Sequence, residues 1–115
     1  MVHLANTTQA EFRSWFYPHE YIDDPAHEAS AKAAAGKRMM ANFEVIAGQL
    51  EGRDWLLASG FSAADLYLLM LVRWGRTLPR PARDNPVLVA HAARVLARPA
   101  VLQTFAFEEL STPYA

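Results

Sequence analysis

A short stretch near the middle of the chain sets the expected architecture. Residues 55–76 read WLLASGFSAADLYLLMLVRWGR. Ser62 is a preferred N-cap residue and Asp65 stands three positions later, so each side chain can bond the other's backbone amide in a capping box. Phe61 and Leu66 occupy the hydrophobic-staple positions around this cap. The pattern predicts a helix that begins after Ser62.

The helix that follows this cap is apolar on nearly all sides. Its first charged side chain after Asp65 is Arg73. A helix that is apolar all round belongs in the interior of a domain. We therefore expect a central, buried helix near residues 62–76, in which an unpaired Asp65 carboxylate would be strongly destabilising.

Prolines divide the rest of the chain into segments with helical periodicity. Apolar residues recur every three or four positions before Pro18, between about residues 25 and 51, after Pro86 and after Pro99. No segment shows the strict alternation of a strand. The sequence predicts an all-α fold of about five helices, with residues 1–115 forming a single domain.

The composition narrows the classes of function. Eleven basic and twelve acidic side chains give a net charge of −1. The chain therefore lacks the positive electrostatic field that attracts nucleic acid or anionic membranes. The chain has no cysteine, which excludes disulfides, zinc–thiolate sites and thiol catalysis. It shows neither a signal-peptide pattern nor a run of about 20 apolar residues that would span a bilayer. We expect a cytoplasmic protein without nucleic-acid or membrane partners.

Two groups of polar residues have competing interpretations. The first group lies around two prolines: His19, Glu20, Asp23, Asp24 and His27. Its spacing misses the pattern that places two imidazoles on one helical face, so we expect solvated loop residues and no metal site. The second group is Arg73, Arg76, Arg80 and Arg83. It forms either an anion-binding stripe or, as we favour, a solvated helix end that complements the helix dipole. His3 and His91 stay unassigned.

Several segments together carry a family resemblance. They are residues 12–18, Trp55, residues 60–68, residues 71–74, residues 94–95 and residues 97–101. In their order and spacing these segments resemble the C-terminal domain of bacterial, beta-class-like glutathione transferases. The resemblance runs over nearly the whole chain and implies the helical bundle of that domain.

The resemblance also implies that two domains bind different substrates. In this family an N-terminal thioredoxin-like domain, which this sequence lacks, binds glutathione and supplies the residue that activates its thiol. The helical domain provides the pocket for a hydrophobic electrophile, and the matching positions are Gln9, Phe12, Phe16 and Trp74. We expect no catalytic residue in this chain, glutathione as co-substrate only with a thioredoxin-like domain in cis or in trans, and a homodimer.

One departure from the family pattern keeps two functions open. Gln9 and Ala10 stand where many beta-class relatives have a histidine–lysine pair facing the active site, so a redirected or lost activity is consistent with the sequence. Aromatic residues at helical spacing, such as Phe12 and Phe16, are also common in cores. The alternative function is a non-catalytic protein-interaction or ligand-binding module. A thioredoxin-like reading frame directly upstream would favour the enzyme.

Overall fold

The computed structural model describes residues 2–115, which form five α-helices joined by turns. The helices are α1 (Ala10–Phe16), α2 (Glu28–Leu50), α3 (Ala63–Trp74), α4 (Pro86–Leu96) and α5 (Pro99–Phe107). These described residues contain one isolated bridge, between Leu57 and Gly60, and no named strand. The predicted all-α class with about five helices is confirmed. None of the described helices is long and apolar enough to cross a membrane.

Local side chains set the helix boundaries. The Asn85 side chain accepts from the amide of Val87 at 2.9 Å, and Pro86 occupies the first turn of α4, where its missing amide proton costs nothing. The first predicted helix is divided, because Leu4–Gln9 is π-helical and only Ala10–Phe16 is α-helical. The π-helical stretch contains one asparagine and two threonines, and these residue types have low propensity for the α-helix.

The described chain divides into two compact units, and the boundary between them follows Ile46. In the first unit, three side-chain pairs join α1 to α2. They are Glu11–Arg38, Phe12–Phe43 and Trp15–Lys32. The ion pair measures 2.7 Å, the phenylalanine ring centroids are 6.1 Å apart, and the lysine ammonium lies 4.7 Å from the indole centroid. An apolar contact and two cationic contacts thus hold α1 against α2.

The second unit, which begins at Ala47, has its core among α3, α4 and α5. One buried cluster consists of Leu69, Ala92, Val95 and Val101. Trp55 and Phe105 are among the half-buried residues that pack against it. Each of the three helices supplies at least one member of this cluster, so no helix pair forms it alone.

The central helix α3 is buried on a broad face but not on all sides. Leu68, Leu71 and Val72 have no exposed surface, whereas Leu66 is 43% exposed. The sequence predicted that neighbouring segments would cover α3 on every side. This prediction is wrong at Leu66, because its side chain lines a cavity in the second unit.

Truncation at two positions of α3 should separate its buried face from its open face. Leu68→Ala should lower the free energy of unfolding by about 2–5 kcal/mol, because it leaves a cavity in the core. Leu66→Ala should lower it by less than about 1 kcal/mol, because that leucine is already partly hydrated. Urea unfolding followed by circular dichroism measures both values, and equal losses would contradict this assignment of faces.

Candidate functional site

The buried carboxylate of Asp65 accepts three hydrogen bonds. Its Oδ1 accepts from the Leu56 amide at 3.0 Å and from His91 Nε2 at 2.8 Å, and its Oδ2 accepts from the Ser62 amide at 2.9 Å. Both halves of the capping box between Ser62 and Asp65 are present. This one side chain therefore connects the loop before α3, the first turn of α3 and the middle of α4.

The hydrogen bonds decide the protonation state of this carboxyl group. Burial raises the pKa of Asp65, but the bonds from His91, Leu56 and Ser62 lower it, and the net pKa lies below its ordinary value. Asp65 is therefore ionised at neutral pH and has no proton to donate. Because neither Asp65 nor His91 has exposed surface, the pair holds the fold together and does not reach a ligand.

His91, which stayed unassigned from the sequence, is the partner of that carboxylate. It lies on α4 with Leu88 and Val95 on the same buried face. Its Nε2 bonds Asp65, while its Nδ1 is buried without a hydrogen-bond partner among the described residues. A histidine inside an apolar helical stripe is a sign of burial and hence of a partner. The partner itself stands 26 positions away, beyond the reach of local patterns.

Phe61 lies at the junction of α3 and α5. Its ring meets Trp55 edge-on, with centroids 5.1 Å apart, and the Arg98 guanidinium stands 3.6 Å from its centroid. These contacts join the residue before the capping box to the residue before α5. The staple contact between Phe61 and Leu66 stays a prediction.

A cavity of about 500 Å³ opens between α3 and α5. Its lining includes Leu66, Met70, Arg73, Trp74, Thr104 and Phe105. Most of these side chains are apolar, and Arg73 is the one charged residue in the lining. A concave, largely apolar cavity of this size with a few polar groups is typical of small-molecule sites.

The segment after α5 borders the same cavity. Leu110 belongs to the lining, and its amide donates to the Phe105 carbonyl at 2.9 Å. Arg73 Nη1 donates to the carbonyl oxygens of Tyr114 at 3.0 Å and of Pro113 at 3.4 Å. The arginine of the lining thus also holds the end of the described chain beside α3.

The four residues predicted to bind substrate lie in different units. In the first unit, Phe12 and Phe16 stack with centroids 5.6 Å apart, and Gln9 ends the π-helical stretch. Phe12 is only 1% exposed, so its ring supports Phe16, which is 42% exposed, and offers little surface of its own. Trp74 lies in the second unit and lines the cavity. The structure therefore groups Trp74 with residues of α5 that the sequence did not single out.

The structure also describes the acidic and histidine group and the arginine group. No three His, Cys, Asp or Glu side chains among residues 2–115 lie close enough together to hold a metal ion. Arg76 Nη1 donates to the Arg73 carbonyl at 2.7 Å, and Arg83 Nη1 donates to the Ala115 carbonyl at 3.3 Å. Arg76 thus bonds the last turn of α3, as cations near helix C-termini commonly do, whereas Arg83 bonds the segment after α5.

Comparison with known families identifies the domain. Residues 8–99 match the family described as glutathione S-transferase, C-terminal domain. The chain belongs to this family. Searches among curated proteins and among solved structures found no significant match. The matched range of this glutathione S-transferase C-terminal domain includes Ser62, Asp65, His91 and Trp74.

The cavity extends beyond the part of the chain that matches the family. Arg73 and Trp74 lie inside the matched range, but Thr104, Phe105 and Leu110 follow its last residue, 99. One wall of the cavity therefore comes from α5 and the segment after it, outside the matched range. Its assignment as a site depends on its geometry in this chain.

Replacing the buried carboxylate should cost far more than replacing an exposed one. Asp65→Asn should lower the free energy of unfolding by about 3 kcal/mol, because an amide offers one acceptor oxygen to three donors. Asp54→Asn is the control, since the Asp54 side chain is 78% exposed, and it should change stability by less than about 0.5 kcal/mol. Urea unfolding at neutral pH measures both, and losses of similar size would contradict the role of Asp65.

The same carboxylate should give stability a defined acid dependence. Because folding lowers the pKa of Asp65, its contribution is present above its unfolded pKa of about 4 and is lost as the pH falls through the lower folded value. The stability difference between the wild-type chain and Asp65→Asn should therefore shrink below about pH 4. Urea unfolding over a pH series tests this, and a difference that widens in acid would show that folding raises the pKa.

Proposed function

We propose that the cavity between α3 and α5 is the electrophile-binding pocket of a glutathione-transferase-like protein. The observation that carries the proposal is the cavity itself, about 500 Å³ in volume and mostly apolar, with Trp74 in its lining. Apolar walls take up a hydrophobic electrophile by removing its surface from water, and the indole ring adds a flat face for an aromatic group. Membership of the family supports this role, because the helical domain of such proteins is the substrate-binding one.

Conjugation in this proposal requires a second, thioredoxin-like domain in cis or in trans. That domain binds glutathione and activates its thiol, while the helical domain positions the electrophile so that attack takes place within a preformed complex. No residue of this chain is proposed as catalytic. Gln9, Phe12 and Phe16 stay predicted substrate contacts of the first unit. The assignment to the bacterial beta class, a cytoplasmic location and a homodimer belong to the same proposal.

A second candidate function is a non-catalytic interaction module. Three aromatic side chains of the first unit, Phe16, Tyr17 and Tyr21, are exposed within a short stretch of chain. Exposed aromatic groups close to each other are a feature of protein-interaction surfaces. In this case the cavity would bind no electrophile, and the aromatic stretch would be the functional surface.

Calorimetric titration with glutathione and with S-hexylglutathione separates these functions. We expect heat from the hexyl conjugate, whose alkyl chain reports on the cavity, and none from glutathione. Thr104→Trp should abolish the hexyl signal by filling the cavity. Gln103→Trp, at the preceding exposed position of α5, should preserve the signal because Gln103 is not a lining residue. If neither ligand produces heat, the interaction module is favoured. Tight binding of glutathione alone would contradict the proposal that a separate thioredoxin-like domain binds glutathione.

A further inference from the structure

The last helix, α5, is apolar on its solvent side as well as on its core side. Val101 is buried, and the exposed positions include Leu102, Gln103, Ala106 and Phe107. Phe107 is 85% exposed, and the nine residues of α5 include no charged side chain. A surface helix normally carries charged and polar residues on its outer side. Exposed apolar residues that lie together are a feature of interaction surfaces.

These four exposed residues form a surface that is separate from the cavity. They stand at positions i, i+1, i+4 and i+5, so they share one side of the helix, and we call them the outer face of α5. None of the four lines the cavity, to which α5 contributes Thr104 and Phe105 among others. A partner on the outer face therefore leaves these lining residues in place.

The charged residues at the two ends of α5 oppose the dipole of their own helix. Arg98 directly precedes α5, and Glu108 and Glu109 directly follow it. A helix dipole favours anions near its N-terminus and cations near its C-terminus, which is the reverse of this order. None of the three side chains forms an ion pair within residues 2–115, and the Phe61 ring beneath Arg98 carries no net charge. Both ends of the helix therefore lack a counter-charge.

From this face and these charges we infer that the outer face of α5 binds a second copy of this chain, with the two helices antiparallel. A two-fold axis beside Gln103, the middle residue of α5, brings the basic end of each helix next to the acidic end of the other. Leu102 and Phe107 are then covered by the same apolar face of the partner. The two Gln103 amides lie opposite each other, and each can donate to and accept from the other.

The charges select this partner and this orientation. A parallel pair would place the two Arg98 side chains together, and like charges at close range repel. The inference does not rest on the proposed function, because the outer face contains no lining residue of the cavity. Two nine-residue helices, each about 13 Å long, cover less than the about 1,200 Å² of a standard stable interface. The expected dimer is therefore weak and dissociates on dilution.

Sedimentation equilibrium of the purified chain over a roughly hundredfold range of concentration tests for this dimer. Phe107→Gln should raise the dissociation constant about tenfold or more, because each dimer loses two apolar anchors. The side chain is mostly exposed, so this variant should stay folded. Val89→Gln is the matched control, since Val89 is an exposed apolar residue of α4, and it should change the constant less than about twofold.

Reversal of the end charges tests the antiparallel orientation. Arg98→Glu should weaken the dimer, and so should Glu108→Arg combined with Glu109→Arg, because each change places like charges opposite each other. The chain with all three substitutions should recover dimerisation, since opposite charges face each other again. A triple variant that dimerises no better than the others would refute the antiparallel pairing.

The absence of cysteine allows a single introduced thiol to report which surfaces meet. Gln103→Cys places both thiols beside the two-fold axis and should form an intermolecular disulfide on mild oxidation, seen by non-reducing electrophoresis. Gln49→Cys, at an exposed position of α2, is the matched control and should stay monomeric.

Three results would overturn the inference, and none of them bears on binding in the cavity. The first is a wild-type chain that stays monomeric at every concentration, which would leave the outer face to a different protein. The second is a dimer that Phe107→Gln does not weaken. The third is a disulfide through Gln49→Cys but not through Gln103→Cys, which would assign the dimer to another surface.

Discussion

An ionised carboxylate inside a protein is stable only when hydrogen-bond donors replace the water that it has lost. At Asp65 those donors come from the loop at Leu56, the cap at Ser62 and the middle of α4 at His91. All three must be in place together, because each one left out would leave a buried charge less well satisfied. The start of α3 and its position against α4 are therefore constrained by one side chain.

This constraint leaves the other side of α3 facing the cavity. The face with Leu68 and Val72 is fully buried, and the face with Leu66, Met70 and Trp74 lines the cavity. Leu66, Met70 and Trp74 can therefore change without loss of the Asp65 bonds, whereas Leu69 belongs both to the lining and to the buried cluster. α3 thus carries core residues and cavity residues on one rigid element.

The candidate site was only partly predictable. The family resemblance predicted Trp74 as a substrate contact together with residues of the first helix. Trp74 lines the cavity with residues of α5, and its contact with a substrate stays a prediction. Arg73 had two interpretations in the sequence, and neither included the bonds it makes to carbonyls 40 and 41 positions later. The wall from α5 was not expected at all, since the apolar periodicity of Val101 and Phe105 indicates a buried face without saying what that face meets.

What the sequence determined by itself was the local structure. Ser62 with Asp65, and Asn85 with Pro86, mark helix starts because a cap acts within a few residues of the chain. The tertiary structure decided that His91 completes the Asp65 site and that Leu66 faces a cavity. Both outcomes depend on contacts between segments far apart in the sequence, which only the packing of α3, α4 and α5 brings together.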